Sequence, residues 1–160
     1  MILYDFQALY ESSAQEVYRF AFWLAGDSAE AEDITSETFI RAWVNHAAIR
    51  TEALKTHLFT IARNYHLEEQ RRKKRPVVLE EVYSDPAPGP AQIAELRPVL
   101  EKVRKVLQTL PEIYRAAFIL RVQHELPYVE IGRILGLSLS VAMVRVHRAR
   151  FTVLFTRCRG

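Results

Sequence analysis

At 160 residues, 49% of them apolar, the chain can bury one core or two small ones, which excludes a disordered tail. Cys158 is the only cysteine, so an intramolecular disulfide is excluded, and no Cys/His spacing resembles a zinc site; a reducing cytoplasm is expected. The net charge of +3 hides an asymmetry: residues 1–60 hold nine acids against four bases, and residues 113–160 hold two acids against eight bases. A further basic run, Arg71-Arg72-Lys73-Lys74-Arg75, lies between, and such a distribution implies two kinds of partner. The first residues lack the basic-then-apolar pattern of a signal peptide, and no apolar run approaches membrane-spanning length, so membrane insertion is not expected.

Apolar residues recur at helical spacing from about Tyr4 to Ala25, where Leu9, Tyr10, Ala14, Val17, Tyr18, Ala21 and Leu24 predict a core-facing helix. Asp27 is placed to cap a second helix, with Glu30 at the third position to close a capping box. Ile34, Thr38, Phe39, Ala42 and Trp43 form its buried side, leaving Asp33 and Glu37, one turn apart, facing out. A third pattern over about 52–64 turns Leu54, Leu58, Ile61 and Ala62 inward. A fourth runs through Tyr65, His66 and Leu67 into the basic cluster, and the pattern leaves open whether a break separates the two. Pro76 ends it. From there to Pro90 the chain carries Asp85-Pro86-Ala87-Pro88-Gly89-Pro90, which cannot sustain a helix and reads as an extended linker. At ~3.1 Å per residue, about 15 residues span roughly 45 Å.

Beyond the linker, Leu107 to Arg121 predicts an amphipathic helix opened by Pro111 at a first-turn position. Leu126 to Arg150 then reads as two short helices joined at Gly136, a residue suited to the left-handed turn that ends a helix. Val129, Ile131, Ile134 and Leu135 give the first its apolar spacing, and Ser138 is placed to cap the second. In that second helix Ala142, Val146, Ala149 and Val153 share one face, so Arg145, His147, Arg148 and Arg150 point outward or flank it. This is the pattern of a helix-turn-helix whose second helix fits the DNA major groove. The expectation is an all-α chain with no internal repeat: two small helical domains, 1–75 and 91–160, joined by a flexible linker over 76–90.

Residues 110–121 (LPEIYRAAFILR), 126–138 (LPYVEIGRILGLS) and 145–150 (RVHRAR) resemble, in order and spacing, region 4 of the sigma-70 family of bacterial transcription initiation factors. Residues 24–34 (LAGDSAEAEDI), 37–43 (ETFIRAW) and 58–64 (LFTIARN) resemble region 2 of its extracytoplasmic-function (ECF) group. Together the two resemblances cover most of the chain.

The resemblance implies an alternative sigma factor that binds core RNA polymerase, carries it to promoter DNA and helps open the strands. The polymerase would perform the chemistry, so no cofactor, metal or catalytic residue of the chain's own is expected. Asp33 and Glu37, with Ser36 where relatives have Gln, would meet the clamp helices of the β′ subunit; the β subunit is a second expected contact and an anti-sigma factor a candidate partner. Arg63, Asn64, Tyr65 and His66 would hold unpaired bases of the −10 element, where aromatic stacking is worth ~1–3 kcal/mol per base. Arg71 and Arg72 would meet phosphates, which position a protein without reading sequence. Phe59 is expected in the core, and His57 stands where many relatives have Trp.

At the −35 element the reading positions would be Met143, Val144, His147 and Arg148, with Arg145 and Arg150 beside them. Relatives commonly have a basic residue and Ser in place of Met143 and Val144. Apolar side chains meet thymine methyl groups but cannot bond guanine bidentately, so this pair implies either methyl readout or cover by another protein surface. A helix-turn-helix regulator acting without polymerase would explain the second half but not the first. A metal-dependent nuclease would recruit Glu30, Glu32, Asp33 and Glu37, yet these alternate around one helix and no His or further Asp follows at a catalytic spacing.

Overall fold

The structure, a computed structural model, describes residues 2–45, 53–74 and 97–159, and the expected linker over 76–90 lies outside them. Among the described residues there are seven helices and no strand: α1 Ile2–Ala25, α2 Ser28–Val44, α3 Leu54–Lys73, α4 Arg97–Thr109, α5 Glu112–Val122, α6 Tyr128–Leu135 and α7 Leu139–Arg159. They fall into two units, Met1–Ala87 and Pro88–Gly160.

In the front unit α1, α2 and α3 pack pairwise around one core. Val17, Phe20, Ala21 and Leu24 of α1 meet Ala31, Ile34, Phe39 and Ala42 of α2 and Leu58, Phe59 and Ala62 of α3, all buried. Burying each large member of this set contributes ~1.5–3 kcal/mol. Phe20 and Phe59 meet edge to face with ring centroids 5.1 Å apart. Thr38 is wholly buried, and its hydroxyl donates to the Ile34 carbonyl at 2.6 Å, which satisfies a group that would otherwise destabilise the core. Tyr10, expected inward, is half exposed and packs its ring against Phe39 at the rim.

Asp27 caps α2, its carboxylate accepting from the Glu30 N–H at 3.0 Å. The Glu30 side chain does not turn back toward the cap; it pairs with Lys73 at the far end of α3. The third and fourth patterns form one unbroken helix, α3, because no Gly or Pro interrupts residues 54–73. Asn64 therefore sits inside a helix and caps nothing.

In the rear unit α5, α6 and α7 pack on one another, and α4 packs on α7. Pro111 is the N-cap of α5 and not its first-turn residue, and Leu107 belongs to α4, a separate helix. Arg115 explains how the junction closes: its Nε donates to the Leu107 carbonyl and its Nη2 to the Leu110 carbonyl, both at 2.9 Å. The Leu107 carbonyl also accepts from the Leu110 N–H at 3.1 Å, and the Leu110 carbonyl lies just beyond the end of α4, so Arg115 ties down the turn that closes the helix. Burial pushes the Arg115 pKa down.

The helix-turn-helix forms as expected between α6 and α7. Gly136 adopts φ 68°, ψ 35° at the end of α6. The Leu137 N–H donates back to the Gly132 carbonyl at 2.8 Å, and a Cβ on Gly132 would lie 2.6 Å from the Leu137 carbonyl oxygen, so the turn closes on a residue without a side chain. Ser138 caps α7, its Oγ accepting from the Val141 N–H at 3.3 Å. Ile131, Ile134, Leu135, Ala142, Val146 and Ala149 are buried, Val153 is half buried, and Val129 is exposed at the end of the stripe.

Candidate protein and nucleic-acid interfaces

On α2, Asp33 and Ser36 are exposed and Glu37 is half buried. The same stripe continues at spacings of three and four to Ile40 and Val44, which are 57% and 71% exposed. The acidic face is thus continuous with an apolar one. Sequence reading missed these two residues, although exposed apolar side chains in line with the acids were the available signal.

Glu37 has a partner within its own unit. Arg41 donates from Nε to Glu37 at 3.1 Å, and from Nη1 and Nη2 to both oxygens of Glu68 on α3 at 3.2 and 2.8 Å. Its guanidinium also lies over the Tyr65 ring, 5.1 Å from the centroid. These hydrogen bonds raise the Arg41 pKa and hold the Glu68 carboxyl below its ordinary value. Burial, and after it the charges of Glu69, Glu37 and Asp33, pushes the Tyr65 phenol up.

Around the middle of α3, Asn64 is exposed and Arg63 and Tyr65 are half buried. His66 departs from its expected place at the DNA face: it is 3% exposed, on the side of α3 that carries Phe59 and Ala62 into the core. Successive helical residues point about 100° apart, so four in a row cannot all face one strand. At the end of α3, Arg71 and Arg72 are exposed, with Arg72 paired to Glu69 at 2.9 Å. Lys73 is engaged by Glu30.

On α7, Met143 and Val144 are 39% and 44% exposed, and His147, Arg148 and Arg150 are exposed beside them. Arg145 also departs from expectation. It turns back to α5, donating from Nη1 to the Tyr114 hydroxyl at 2.5 Å and lying 4.9 Å from that ring's centroid, while its Nε is buried without a hydrogen-bond partner. The hydrogen bond from Arg148 and the charge of Arg145 hold the Tyr114 phenol below its ordinary value. Tyr114, His147, Arg148 and Phe151 line a groove of about 610 Å³ between the start of α5 and the middle of α7.

Among the described residues, no group of His, Cys, Asp and Glu is arranged to hold a metal ion, and no helix is long and apolar enough to cross a membrane.

The Sigma-70 region 2 family model matches residues 9–76, and the Sigma-70, region 4 model matches residues 100–150. The chain is 34% identical over 148 residues to the ECF RNA polymerase sigma factor SigE of Mycolicibacterium smegmatis, covering 89% of this chain and 57% of SigE, so it spans little more than half of that relative's length. It is 32% identical over 134 residues to the ECF RNA polymerase sigma factor EcfG of Rhodopseudomonas palustris, covering 82% of this chain and 73% of that one. A solved structure of the sigma factor RpoE from Bartonella quintana, in complex with the anti-sigma factor NepR, matches with a TM-score of 0.78 and 28% identity over 93% of this chain and 94% of that one. With both sigma regions matched in order and relatives aligned along most of its length, the chain belongs to the ECF sigma factors, alternative initiation factors of RNA polymerase.

Proposed function

We propose that this chain binds core RNA polymerase, β′ and β, through the outer stripe of α2, where Asp33, Ser36 and Glu37 supply polar contacts and Ile40 and Val44 supply apolar area. The unpaired −10 strand lies along α3, held by Arg63, Asn64 and Tyr65, with Arg71 and Arg72 on its phosphates. The −35 duplex is read by Met143, Val144, His147, Arg148 and Arg150, while Arg145 braces the reading helix against Tyr114. Residues 1–75 and 91–160 act as two readers joined by a linker over 76–90. The chain works in the cytoplasm without a cofactor, and bond formation belongs to the polymerase. An anti-sigma factor is a further partner, by analogy with the relative bound to NepR.

The observation that carries this reading is the placement of Asn64. It is exposed in the middle of a continuous helix, where its amide serves no helix end and is available to a base. Run-off transcription on genomic fragments tests the whole assignment. Transcripts should require both this chain and core polymerase, and the free chain should bind duplex DNA only at the non-specific level of ~10⁻⁴ to 10⁻⁶ M. Tight, sequence-specific binding by the chain alone, with no transcript on adding core, would instead identify a regulator that acts without polymerase.

A further inference from the structure

Arg41 stands between the two faces assigned to polymerase and to DNA, and neither assignment gives it a role. It bonds Glu37 on the α2 stripe, grips both carboxylate oxygens of Glu68 on α3, and covers the Tyr65 ring. A guanidinium can do all three at once because its donors fork in a plane while its flat face is left for a ring; an ammonium cannot. The cluster is also reachable: the side chains of Arg41 and Glu37 are each 34% exposed and that of Glu68 48%.

We propose that Arg41 is a positioning residue that couples polymerase docking to capture of unpaired DNA, holding the Tyr65 ring in place while surrendering Glu37 to basic groups of the docked polymerase. The inference rests on the assignment of Glu37 to polymerase and of Tyr65 to the single strand. In the free chain one cation is divided between two carboxylates and a ring. When a partner's cation takes Glu37, the Arg41 charge is left to Glu68 and Tyr65, and the ring is held more firmly. Linkage makes the effect mutual, so DNA bound on Tyr65 favours polymerase at Glu37 by the same factor.

This arrangement gives a signature of opposite signs. Removing the Arg41 guanidinium frees Glu37 from its competitor and leaves the α2 stripe more negative, so binding to basic groups of core polymerase should be maintained or strengthened. The same change releases Tyr65, so DNA capture should weaken. A residue that merely holds the fold together would lower both.

The test compares wild type, Arg41→Gln and Arg41→Lys, with Glu37→Lys and Tyr65→Ala as controls. Two affinities are measured: each chain for core polymerase, and each holoenzyme, at saturating core, for a labelled single-stranded oligonucleotide carrying the −10 sequence found by run-off transcription. Arg41→Gln and Arg41→Lys should bind core at least as tightly as wild type, while their holoenzymes bind the oligonucleotide about tenfold more weakly, the factor expected when one fixed ring contact worth ~1–3 kcal/mol is loosened. Arg41→Lys keeps the charge and so remains informative if the neutral variant folds poorly. Undiminished oligonucleotide binding by both variants, or parallel loss of both affinities in Arg41→Lys, overturns the proposal. The controls separate its failure from that of the underlying assignments: unchanged core binding by Glu37→Lys, or unchanged oligonucleotide binding by Tyr65→Ala, removes the face concerned and the coupling with it.

Discussion

In the front unit the ties between helices are acid–base pairs. Glu16 joins α1 to Lys55 of α3 at 2.8 Å, Glu30 joins α2 to Lys73 of α3, and Arg41 joins α2 to Glu68 of α3 at 2.8 Å. In the rear unit three arginines reach carbonyls and rings instead. Arg115 of α5 bonds the end of α4, Arg121 bonds the Leu126 carbonyl at 3.0 Å and lies over Tyr128, and Arg145 of α7 bonds and covers Tyr114. Composition contributes, since residues 113–160, which hold α6, α7 and most of α5, carry only two acids. The difference has a consequence for function. A carboxylate beside a DNA phosphate repels it, whereas a carbonyl or an aromatic ring steadies an arginine without adding a full negative charge. Under the proposed assignment, the unit facing duplex DNA ties its elements through these arginine–carbonyl and arginine–ring contacts, and the unit facing a basic protein surface uses acid–base pairs.

The largest effect that would break this comparison is expected on α2. If the exposed acids of the front unit serve polymerase and not the fold, Asp33→Lys combined with Glu37→Lys should weaken binding to core polymerase about 100-fold, since like charges brought together across an interface cost several kcal/mol. Helicity by circular dichroism should be unchanged, because an unfavourable pair with Arg41 one turn away costs only ~0.2–0.5 kcal/mol. Unchanged core affinity would return these acids to a solvated surface.

A smaller effect separates the two kinds of tie. Arg41 depresses the Glu68 pKa in the folded state, so the pair's contribution is complete above the ordinary carboxylate pKa and is lost as pH falls through the lower folded value. Glu101 is likewise held down by Arg104, but the two lie three residues apart on α4, so losing that pair frees no second helix. Each exposed pair is worth only ~0.2–1 kcal/mol, but among the described residues Glu16–Lys55, Glu30–Lys73 and Arg41–Glu68 act together in the front unit. Both tryptophans, Trp23 and Trp43, lie in that unit and report on it selectively. On acidification tryptophan emission should shift before total helicity falls. Helicity lost first, with emission unchanged, would show that the rear unit is the acid-sensitive one.

Much of this was legible in the chain before its structure, and the exceptions share a cause. The core faces of α2 and α7, the Asp27 cap and the Gly136 turn follow from local spacing and local chemistry. What the sequence could not show were contacts set by tertiary placement. The Glu37–Arg41 pair is visible as an i, i+4 spacing, but Glu68 is 27 residues further on, and only the packing of α3 on α2 brings it to the same guanidinium. His66 and Arg145 failed as surface residues for the same reason, one drawn into the α3 core side and the other into the angle between α5 and α7. A polar residue's type shows what it can bond, and only the neighbouring helix decides whether that partner is internal.

The smallest expected effect lies on the outer side of α7, where the comparison between the units is sharpest at single residues. In the proposed assignment the front unit meets its partner with carboxylates, while α7 presents Met143 and Val144, 39% and 44% exposed, between basic side chains. A thioether and a branched alkyl chain offer no directional bond, so if they read DNA they do so by burying thymine methyl groups in the major groove. One such group removed from water is worth ~0.8 kcal/mol, about fourfold in affinity. Replacing contacted −35 thymines with uracil removes the methyl and leaves the base-pairing edge unchanged. Holoenzyme affinity should fall about threefold to fourfold per contacted position. Met143→Ala should bind the thymine and uracil promoters alike, because the surface that met the methyl is gone. Arg148→Ala should weaken both equally, since a phosphate or guanine contact does not depend on that methyl. If the uracil promoter binds wild-type holoenzyme as tightly as the thymine promoter does, Met143 and Val144 are not readers, and sequence preference at −35 rests on His147, Arg148 and Arg150.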